Sequence, residues 1–224
     1  MPSSTPCVPG ASGVPCPAIF PNGALSIRLS KFGLKTKGRA VFWSALEKNL
    51  VCEIRKRSKR TGHTTFLILD AQSVKSTDTA KEKGSDAGKK VSGIKRHLAV
   101  DTLGLPHALA VTRANVGDRE GGLQALERCA CTLGTVEAVL CDGGYTGVNF
   151  AEGVQRILHD GVEVQIAKGN ELHTFEVLPK RWVVERSFAW LEKNRRLWKN
   201  CERLLNTSLQ FVLIAFIALI LKRL

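Results

Sequence analysis

Apolar residues recur along the chain in two patterns, one typical of helices and one typical of strands. From Arg39 to Arg57 apolar side chains return every four residues, which predicts an amphipathic helix. Two later runs, TTFLILD and VEAVLCD, are continuously apolar and each ends in an aspartate, as expected for buried strands. Between them, VSGIKRHLAVDTLGLPHALAVT predicts two further strands joined by a turn.

Helical spacing returns in the second half of the chain. NVGDREGGLQALERCA predicts a helix with Asp118 as its N-cap, and VNFAEGVQRILHDG predicts a helix with a glycine stop. VEVQIA then predicts a strand, and RWVVERSFAWLEKNRRLWKN, residues 181–200, predicts one long helix. The final apolar run, FVLIAFIALIL, is too short to cross a bilayer and predicts a core helix. The order predicts an α/β fold, a mixed sheet flanked by helices.

The net charge of the chain narrows the classes of partner that it is expected to bind. The 224 residues carry 33 lysines and arginines against 20 acids, a net charge of +13 spread over most of the chain. Such a field favours a polyanion, most often nucleic acid, although ribosomal, RNA-binding and membrane-surface proteins share this composition. Six of the eight prolines fall in the first 22 residues, so residues 1–24 are predicted to be a disordered leader without a secretory signal.

The two strand-end aspartates are the first candidates for chemistry. If their strands are parallel neighbours, Asp70 and Asp142 lie side by side at the sheet edge where α/β sites gather. Their mutual repulsion is relieved by a hard divalent cation such as Mg²⁺ or Mn²⁺. Gly143 and Gly144 leave room for a phosphate or sugar, and Tyr145 could stack or hydrogen-bond. The alternative is an ordinary strand-end turn capped by Asp142.

The predicted helix over 181–200 offers a third acid. At about 100° per residue, its polar stripe consists of Arg181, Glu185, Glu192 and Arg196. The flanking apolar positions, which we expect to face the sheet, are Val184, Phe188 and Leu191. Glu185 lies at the edge of the apolar face, from which it could reach the aspartates. The alternative is an exposed ion pair with Arg181 one turn away.

Several motifs together resemble one family. ILDAQSVKS, KKVSGIKRHLAVDTLGLPHALAV, CDGGYTG and RWVVERSFAWLEKNRRLWKNCERL are similar, in collinear order, to the catalytic domain of bacterial insertion-sequence transposases of the DDE type. The likeness runs from about Phe66 to Leu224. It implies a ribonuclease H-like fold in which Asp70, Asp142 and Glu185 are the catalytic residues and the ligands of two Mg²⁺ or Mn²⁺ ions.

The same resemblance implies the partners and the place of action. The implied partners are DNA, both the inverted-repeat ends of the element and the target, and further copies of the chain assembled on that DNA. No membrane partner is expected, and the expected location is the bacterial cytoplasm, in association with the nucleoid.

The chain departs from the family pattern in its third motif, which is tyrosine, arginine, glutamate and lysine. Arg181 and Glu185 match the arginine and the glutamate. Leu178 stands in place of the tyrosine, and Glu192 in place of the lysine. The basic residues that could take the part of the missing lysine are Lys193 and Arg196.

A second departure lies before the catalytic domain, which we place at 63–224. Such transposases carry an N-terminal helical region that recognises the element's ends, and fewer than 70 residues precede Asp70 here. We interpret 25–62 as a helical remnant of that region. The chain is therefore expected to be a truncated or frame-disrupted copy that keeps the chemistry but has impaired DNA specificity.

The candidates for holding DNA are mostly basic, and such contacts make binding strongly salt-dependent. They are Lys89, Lys90, Lys95, Arg96, Tyr145, Arg181, Arg195 and Arg196. His97 could reach a phosphate, but a structural role is favoured. Asp101 and Asp118 compete for a metal role, but a turn and a cap are favoured. The aromatic residues predicted to pack rather than stack on bases are Trp182, Phe188, Trp190 and Trp198.

The predicted function is therefore metal-dependent cleavage and strand transfer of an insertion sequence by a DNA transposase. Two alternatives remain from the residues alone. One is a catalytically silent DNA-binding remnant of a transposase. The short segment before the catalytic domain and the altered third motif favour this alternative. The other is a ribonuclease H-like nuclease that cleaves without joining.

Overall fold

The structure is a computed structural model that describes residues 36–167 and 182–224. The predicted leader, Leu178 and Arg181 lie outside the described residues. The six strands are β1 (Phe66–Lys75), β2 (Gly84–Asp86), β3 (Val91–Val100), β4 (Pro106–Arg113), β5 (Ala138–Asp142) and β6 (Glu163–Ala167). The five helices are α1 (Thr36–Arg57), α2 (Asp118–Cys129), α3 (Val148–Ile157), α4 (Trp182–Glu192) and α5 (Leu205–Leu221).

The strands form one mixed sheet. Its order is β2, β3, β1, β5, β6, and β4 also pairs with β3. β3 runs antiparallel to β1 along one edge, and along its other edge it pairs first with β2 and then with β4. β1, β5 and β6 are parallel neighbours. The predicted mixed α/β fold is confirmed and is compatible with a ribonuclease H-like fold; only the short β2 was not predicted.

Each face of the sheet is covered by helices. Because side chains alternate along a strand, Ile68 and Leu140 point to one face and Leu67 and Val139 to the other. Ile68 and Leu140 belong to the core under α4 and α5. The buried Phe188 of α4 is part of the same core. Leu67 and Val139 belong to the core under α2 and α3. This two-sided burial explains why the strands read as continuous apolar runs.

The first helix is packed onto the sheet domain. Leu50 and Ile54, on the predicted apolar face of α1, share a buried cluster with Ile217 and Ile220 of α5. Arg55 is also buried, where it forms an ion pair with Asp101 in the turn between β3 and β4. The basic run RKRSKR at 55–60 is therefore not wholly exposed, because its first residue is buried. The origin of residues 25–62 as a DNA-binding remnant stays a prediction.

The predicted helix over 181–200 is shorter than expected. α4 ends at Glu192 because the Asn194 side chain donates hydrogen bonds to the carbonyls of Trp190 and Leu191, at 3.1 and 3.2 Å. The chain then crosses to β1, where the Asn200 amide donates to the carbonyl of Lys75 at 3.0 Å. Residues beyond 192 therefore do not continue the polar stripe of α4.

The C-terminal apolar run forms α5, as predicted. Eight of its residues are buried, among them Val212, Phe216 and Ile220. None of the helices within 36–167 and 182–224 has the length and apolar content that crossing a bilayer requires.

Candidate active site

The two predicted aspartates are neighbours where the parallel pairing of β1 and β5 stops. Asp142 ends β5 as predicted, but the prediction that the first strand ends at Asp70 is wrong, because β1 continues to Lys75 in pairing with β3. β1 and β5 pair in parallel as far as Leu69 and Cys141, and Asp70 and Asp142 each follow by one residue. By the alternation along each strand, both side chains lie on the face covered by α4. A small cleft at this point is lined by Ile68, Leu69, Asp70, Leu140, Cys141, Asp142 and Val184. The predicted juxtaposition of the two aspartates is present.

Asp70 lies in an unfavourable environment for a carboxylate. Burial is the largest cause that raises its pKa, to about 6, and the negative charges of Asp142 and Glu185 raise it further. A hydrogen bond of 2.7 Å from the Ala71 amide and the nearby charge of Lys89 act in the opposite direction. The site therefore has an excess of negative charge that a bound cation would relieve.

Asp142 begins a short turn. Residues Gly143–Tyr145 form one turn of 3-10 helix, and the Gly144 amide donates to Asp142 Oδ1 at 3.0 Å. A Cβ at Gly144 would lie 3.1 Å from the same oxygen, so the glycine allows this close approach. The local capping contact of the alternative interpretation is thus present, and it holds the carboxylate at the strand end.

Glu185 lies in the first turn of α4 and is exposed. Val184, the preceding residue, lines the cleft, and Glu185 is within electrostatic range of Asp70. In the part of the chain that the structure describes, no three histidine, cysteine or acidic side chains are close enough together to hold a metal ion. The aspartates are therefore adjacent, but Glu185 does not complete a closed set of three ligands in this arrangement.

Some of the residues predicted to contact DNA are exposed, and others are buried. Lys89, Lys90 and Arg195 are exposed. Lys89 Nζ donates to the Ala71 carbonyl at 3.3 Å, which places its charge beside Asp70. Arg196 is also exposed, but it pairs with Glu202 at 2.8 Å and lies over the ring of Phe211.

Three of the predicted DNA contacts are buried, which corrects their assignment. Lys95 pairs with Asp86 and Asp118, at 3.3 and 2.8 Å. Arg96 is 1 % exposed and donates to the Leu197 carbonyl at 2.8 Å. The physical reason is the central position of β3, whose residues from 93 to 100 are all buried between helices on both faces.

The third buried contact is Tyr145, which is 1 % exposed. Its ring packs against Phe150 of α3, with 5.2 Å between the ring centroids. It anchors the turn after β5 in the core and presents no surface for stacking a base.

The competing candidates have structural surroundings. Asp101 is fully buried, and its Oδ1 accepts hydrogen bonds from the amides of Leu103 and Leu105, as predicted for a turn. His97 is fully buried, contacts Thr112 Oγ1 at 2.9 Å, and has a pKa lowered to about 4 by burial.

The predicted cap role of Asp118 is wrong. The N-cap of α2 is Gly117, and Asp118 is the first helical residue. Its carboxylate forms the ion pair with Lys95 and so fastens the start of α2 to β3.

The aromatic residues near α4 fulfil the packing prediction only in part. Phe188 is buried in the core, whereas Trp182 and Trp198 are 53 % and 70 % exposed. The guanidinium of Arg186 lies between the rings of Trp182 and Trp190, at 4.6 and 4.8 Å from their centroids.

Sequence reasoning missed Arg119, which borders the Asp142 side of the site. Its Nε donates to the Gly144 carbonyl at 3.0 Å. In the sequence, VGDREGG is a plausible helix start, and nothing in that pattern distinguishes Arg119 from another surface arginine. Its position emerges only when α2 packs over β3 and β4 and its start meets the turn after β5.

Comparison with known proteins places these residues in a family. Residues 61–221 match a family model described as "Transposase DDE domain". A curated protein of Burkholderia cepacia, "Putative transposase for insertion sequence element IS402", is 35 % identical over 119 residues. That alignment covers 50 % of this chain and 54 % of the relative, so the chain spans about half the length of the curated relative. Members of the family generally use divalent metal ions.

Proposed function

The chain belongs to the family of transposase DDE domains, and we propose on that premise that it is the catalytic part of a DNA transposase. It would cut DNA at the ends of an insertion sequence and join those ends to target DNA. The observation that carries the proposal is the adjacency of Asp70 and Asp142 inside the matched region, at the point where the parallel pairing of β1 and β5 stops.

The chemistry of the site suits hard divalent cations. Asp70, Asp142 and Glu185 supply only carboxylate oxygens, the ligand type that Mg²⁺ and Mn²⁺ prefer. Burial and the two neighbouring acids disfavour the ionised form of Asp70, so a cation there would be stabilising. We assign two Mg²⁺ or Mn²⁺ ions to these three residues; when bound, they would activate a water or 3′-hydroxyl nucleophile and stabilise the leaving oxygen.

The protein's part in the reaction is to hold the acids in place. The Ala71 amide fixes the Asp70 carboxylate, and the Gly144 amide fixes that of Asp142. Ile68, Leu140 and Val184 form the apolar floor of the cleft and exclude water from beneath the carboxylates. Such positioning and charge neutralisation account for most of the catalysis of phosphoryl transfer.

The DNA backbone would be held by exposed cations around this edge. We assign this role to Lys89, Lys90 and Arg195 among the described residues and to Arg181 outside them. Lys89 lies beside Asp70 and is the cation best placed to meet a phosphate at the carboxylates. We further propose that copies of the chain assemble on the element's two ends in the bacterial cytoplasm, at the nucleoid.

The test is strand cleavage and joining on a labelled duplex that carries the end of the chain's own element, with Mg²⁺ or Mn²⁺. The wild type is compared with Asp70→Asn, Asp142→Asn and Glu185→Gln. Asp160→Asn is the matched control, because Asp160 is exposed and lies outside the site. We expect metal-dependent joining by the wild type and the control, and none by the three site variants.

Two other outcomes would contradict the proposal and support the alternatives. Cleavage without joining would indicate a ribonuclease H-like nuclease. Salt-sensitive DNA binding with neither cleavage nor joining would indicate a silent remnant of a transposase.

A further inference from the structure

We propose that Arg119 is a positioning residue that orients the Asp142 carboxylate through the turn after β5. The inference rests on the proposed function, because it assigns to Asp142 the role of metal ligand. It adds a residue outside the three acids and outside the exposed cations discussed above.

Two hydrogen bonds connect the guanidinium to the carboxylate. Arg119 Nε donates to the Gly144 carbonyl at 3.0 Å, and the Gly144 amide donates to Asp142 Oδ1 at 3.0 Å. Both bonds use the backbone of the same residue. A displacement of Gly144 therefore moves the donor that holds Asp142.

The turn is anchored in the core by the buried Tyr145 ring, but few hydrogen bonds reach its backbone from outside. Thr146 closes it from within, because its hydroxyl and its amide both donate to the Gly143 carbonyl, at 2.8 and 3.3 Å. A Cβ at Gly143 would meet nothing within 4 Å, so that side of the turn is open. Among the described residues, Arg119 is the one side chain outside the turn that reaches it with a hydrogen bond.

Arg119 is itself anchored by its helix. The preceding residue, Asp118, pairs with the buried Lys95 at 2.8 Å and ties the first turn of α2 to β3. Two residues later, Gly121 approaches His97 so closely that a Cβ would lie 2.1 Å from the ring. The start of α2 therefore has little freedom to move relative to the sheet, and this makes it a firm support for the turn.

A positioning role and a purely electrostatic role predict opposite effects on cation binding. A guanidinium near the carboxylates repels a divalent cation, so by charge alone its removal would tighten binding. If Arg119 orients Asp142, its removal lets the carboxylate turn away and weakens binding. Partners that orient a metal ligand typically change metal affinity or activity roughly 10- to 100-fold. The sign of the change distinguishes the two roles.

The experiment measures Mn²⁺ binding to the full chain without DNA, by electron paramagnetic resonance of free Mn²⁺, and cleavage rates at saturating DNA. Arg119→Ala should weaken Mn²⁺ binding roughly 10- to 100-fold and lower the saturated rate by a similar factor. The DNA concentration for half-saturation should change little. The matched control is Arg128→Ala, an exposed arginine near the other end of α2, which should behave as wild type.

A second variant reaches the same carboxylate from the turn itself. Gly144→Ala places a methyl group 3.1 Å from Asp142 Oδ1, so the carboxylate must shift. Gly144→Ala should weaken Mn²⁺ binding, and its combination with Arg119→Ala should cost less than the sum of the two changes, because both act on one chain of contacts.

The outcomes separate this inference from the proposed function. Mn²⁺ binding by Arg119→Ala that is equal to or tighter than wild type, while Asp142→Asn loses binding, would overturn the inference alone. Unchanged Mn²⁺ binding by Asp142→Asn would overturn the proposed function and the inference with it.

Discussion

Asp70 and Asp142 lie one residue beyond the last pair of two parallel strands, Leu69 with Cys141, on the same face of the sheet. Burial, and then the charge of Asp142, raise the pKa of Asp70 to about 6. The closeness of the two carboxylates suits a bound cation, but it destabilises the folded protein when no cation is bound. The site therefore costs stability unless a cation is bound.

Replacing Asp70 with asparagine should stabilise the metal-free protein at high pH. The pKa of Asp70 rises from 3.8 in the unfolded chain to about 6 in the folded protein. Well below pH 3.8 the group is protonated in both states and contributes nothing. Well above pH 6 it is ionised in both, and the full penalty, about 1–3 kcal/mol, applies. The contribution to stability thus falls as the pH rises from 4 through 6.

We expect Asp70→Asn to raise the free energy of unfolding by about 1–3 kcal/mol at pH 8 in the presence of a chelator, and to have little effect at pH 4. Urea denaturation at the two pH values measures this. Asp160→Asn, at an exposed site, should show no such difference. A gain that is no larger at pH 8 than at pH 4 would refute the raised pKa of Asp70, and with it the unfavourable environment of its carboxylate.

Arg55→Met should destabilise the protein strongly. Arg55 is 4 % exposed, pairs with the fully buried Asp101, and donates to the carbonyls of Thr61 and His63 at 2.9 and 3.0 Å. Methionine keeps the apolar stem but leaves a buried carboxylate without its guanidinium, which costs about 3–5 kcal/mol. The measurement is the free energy of unfolding in urea.

The control for this change is Arg57→Met on the same helix. The Arg57 side chain is 54 % exposed, and its contacts with the Glu53 carboxylate and the Leu224 carbonyl both lie at the surface, so we expect a loss below about 1 kcal/mol. If Arg55→Met lowered the free energy of unfolding by as little as Arg57→Met does, α1 would not fold as part of the domain.

The salt dependence of DNA binding should separate exposed cations from buried ones. Each exposed cation that contacts a phosphate contributes about one unit to the slope of log affinity against log salt. Lys89→Ala and Arg195→Ala should each reduce that slope by about 1. Arg96→Met should leave it unchanged, because Arg96 is 1 % exposed. Fluorescence anisotropy over a salt series measures all three, and a reduced slope for Arg96→Met would restore that residue as a DNA contact.

The sequence predicted five of the six strands and the adjacency of the two aspartates because both depend on simple patterns. A continuous apolar run indicates a buried strand, and the aspartate after it marks the strand end for Asp142 but not for Asp70, because β1 gains pairing with β3 and continues to Lys75. The apolar face of α4 was also predicted from the helical spacing. Its three predicted core residues are buried: Val184, Phe188 and Leu191.

Properties that depend on the full three-dimensional environment were not predictable in this way. VSGIKRHLAV supplied two of the predicted DNA contacts, Lys95 and Arg96, yet β3 is buried on both faces because helices cover each side of the sheet. The end of α4 depends on one asparagine side chain that competes for the helix carbonyls. The link from Arg119 to Asp142 depends on the packing of α2 over β3 and β4, which brings its start to the turn after β5 and which no local pattern encodes.

Anomalous diffraction from crystals soaked in Mn²⁺ tests the central claim most directly. The account predicts anomalous density at the edge of the sheet, in contact with carboxylate oxygens of both Asp70 and Asp142, with Glu185 drawn towards it. Asp142→Asn should weaken or abolish that density. Saturating Mn²⁺ that leaves this edge empty in the wild type, or that binds only at other carboxylates, would contradict the assignment of these residues as a metal site.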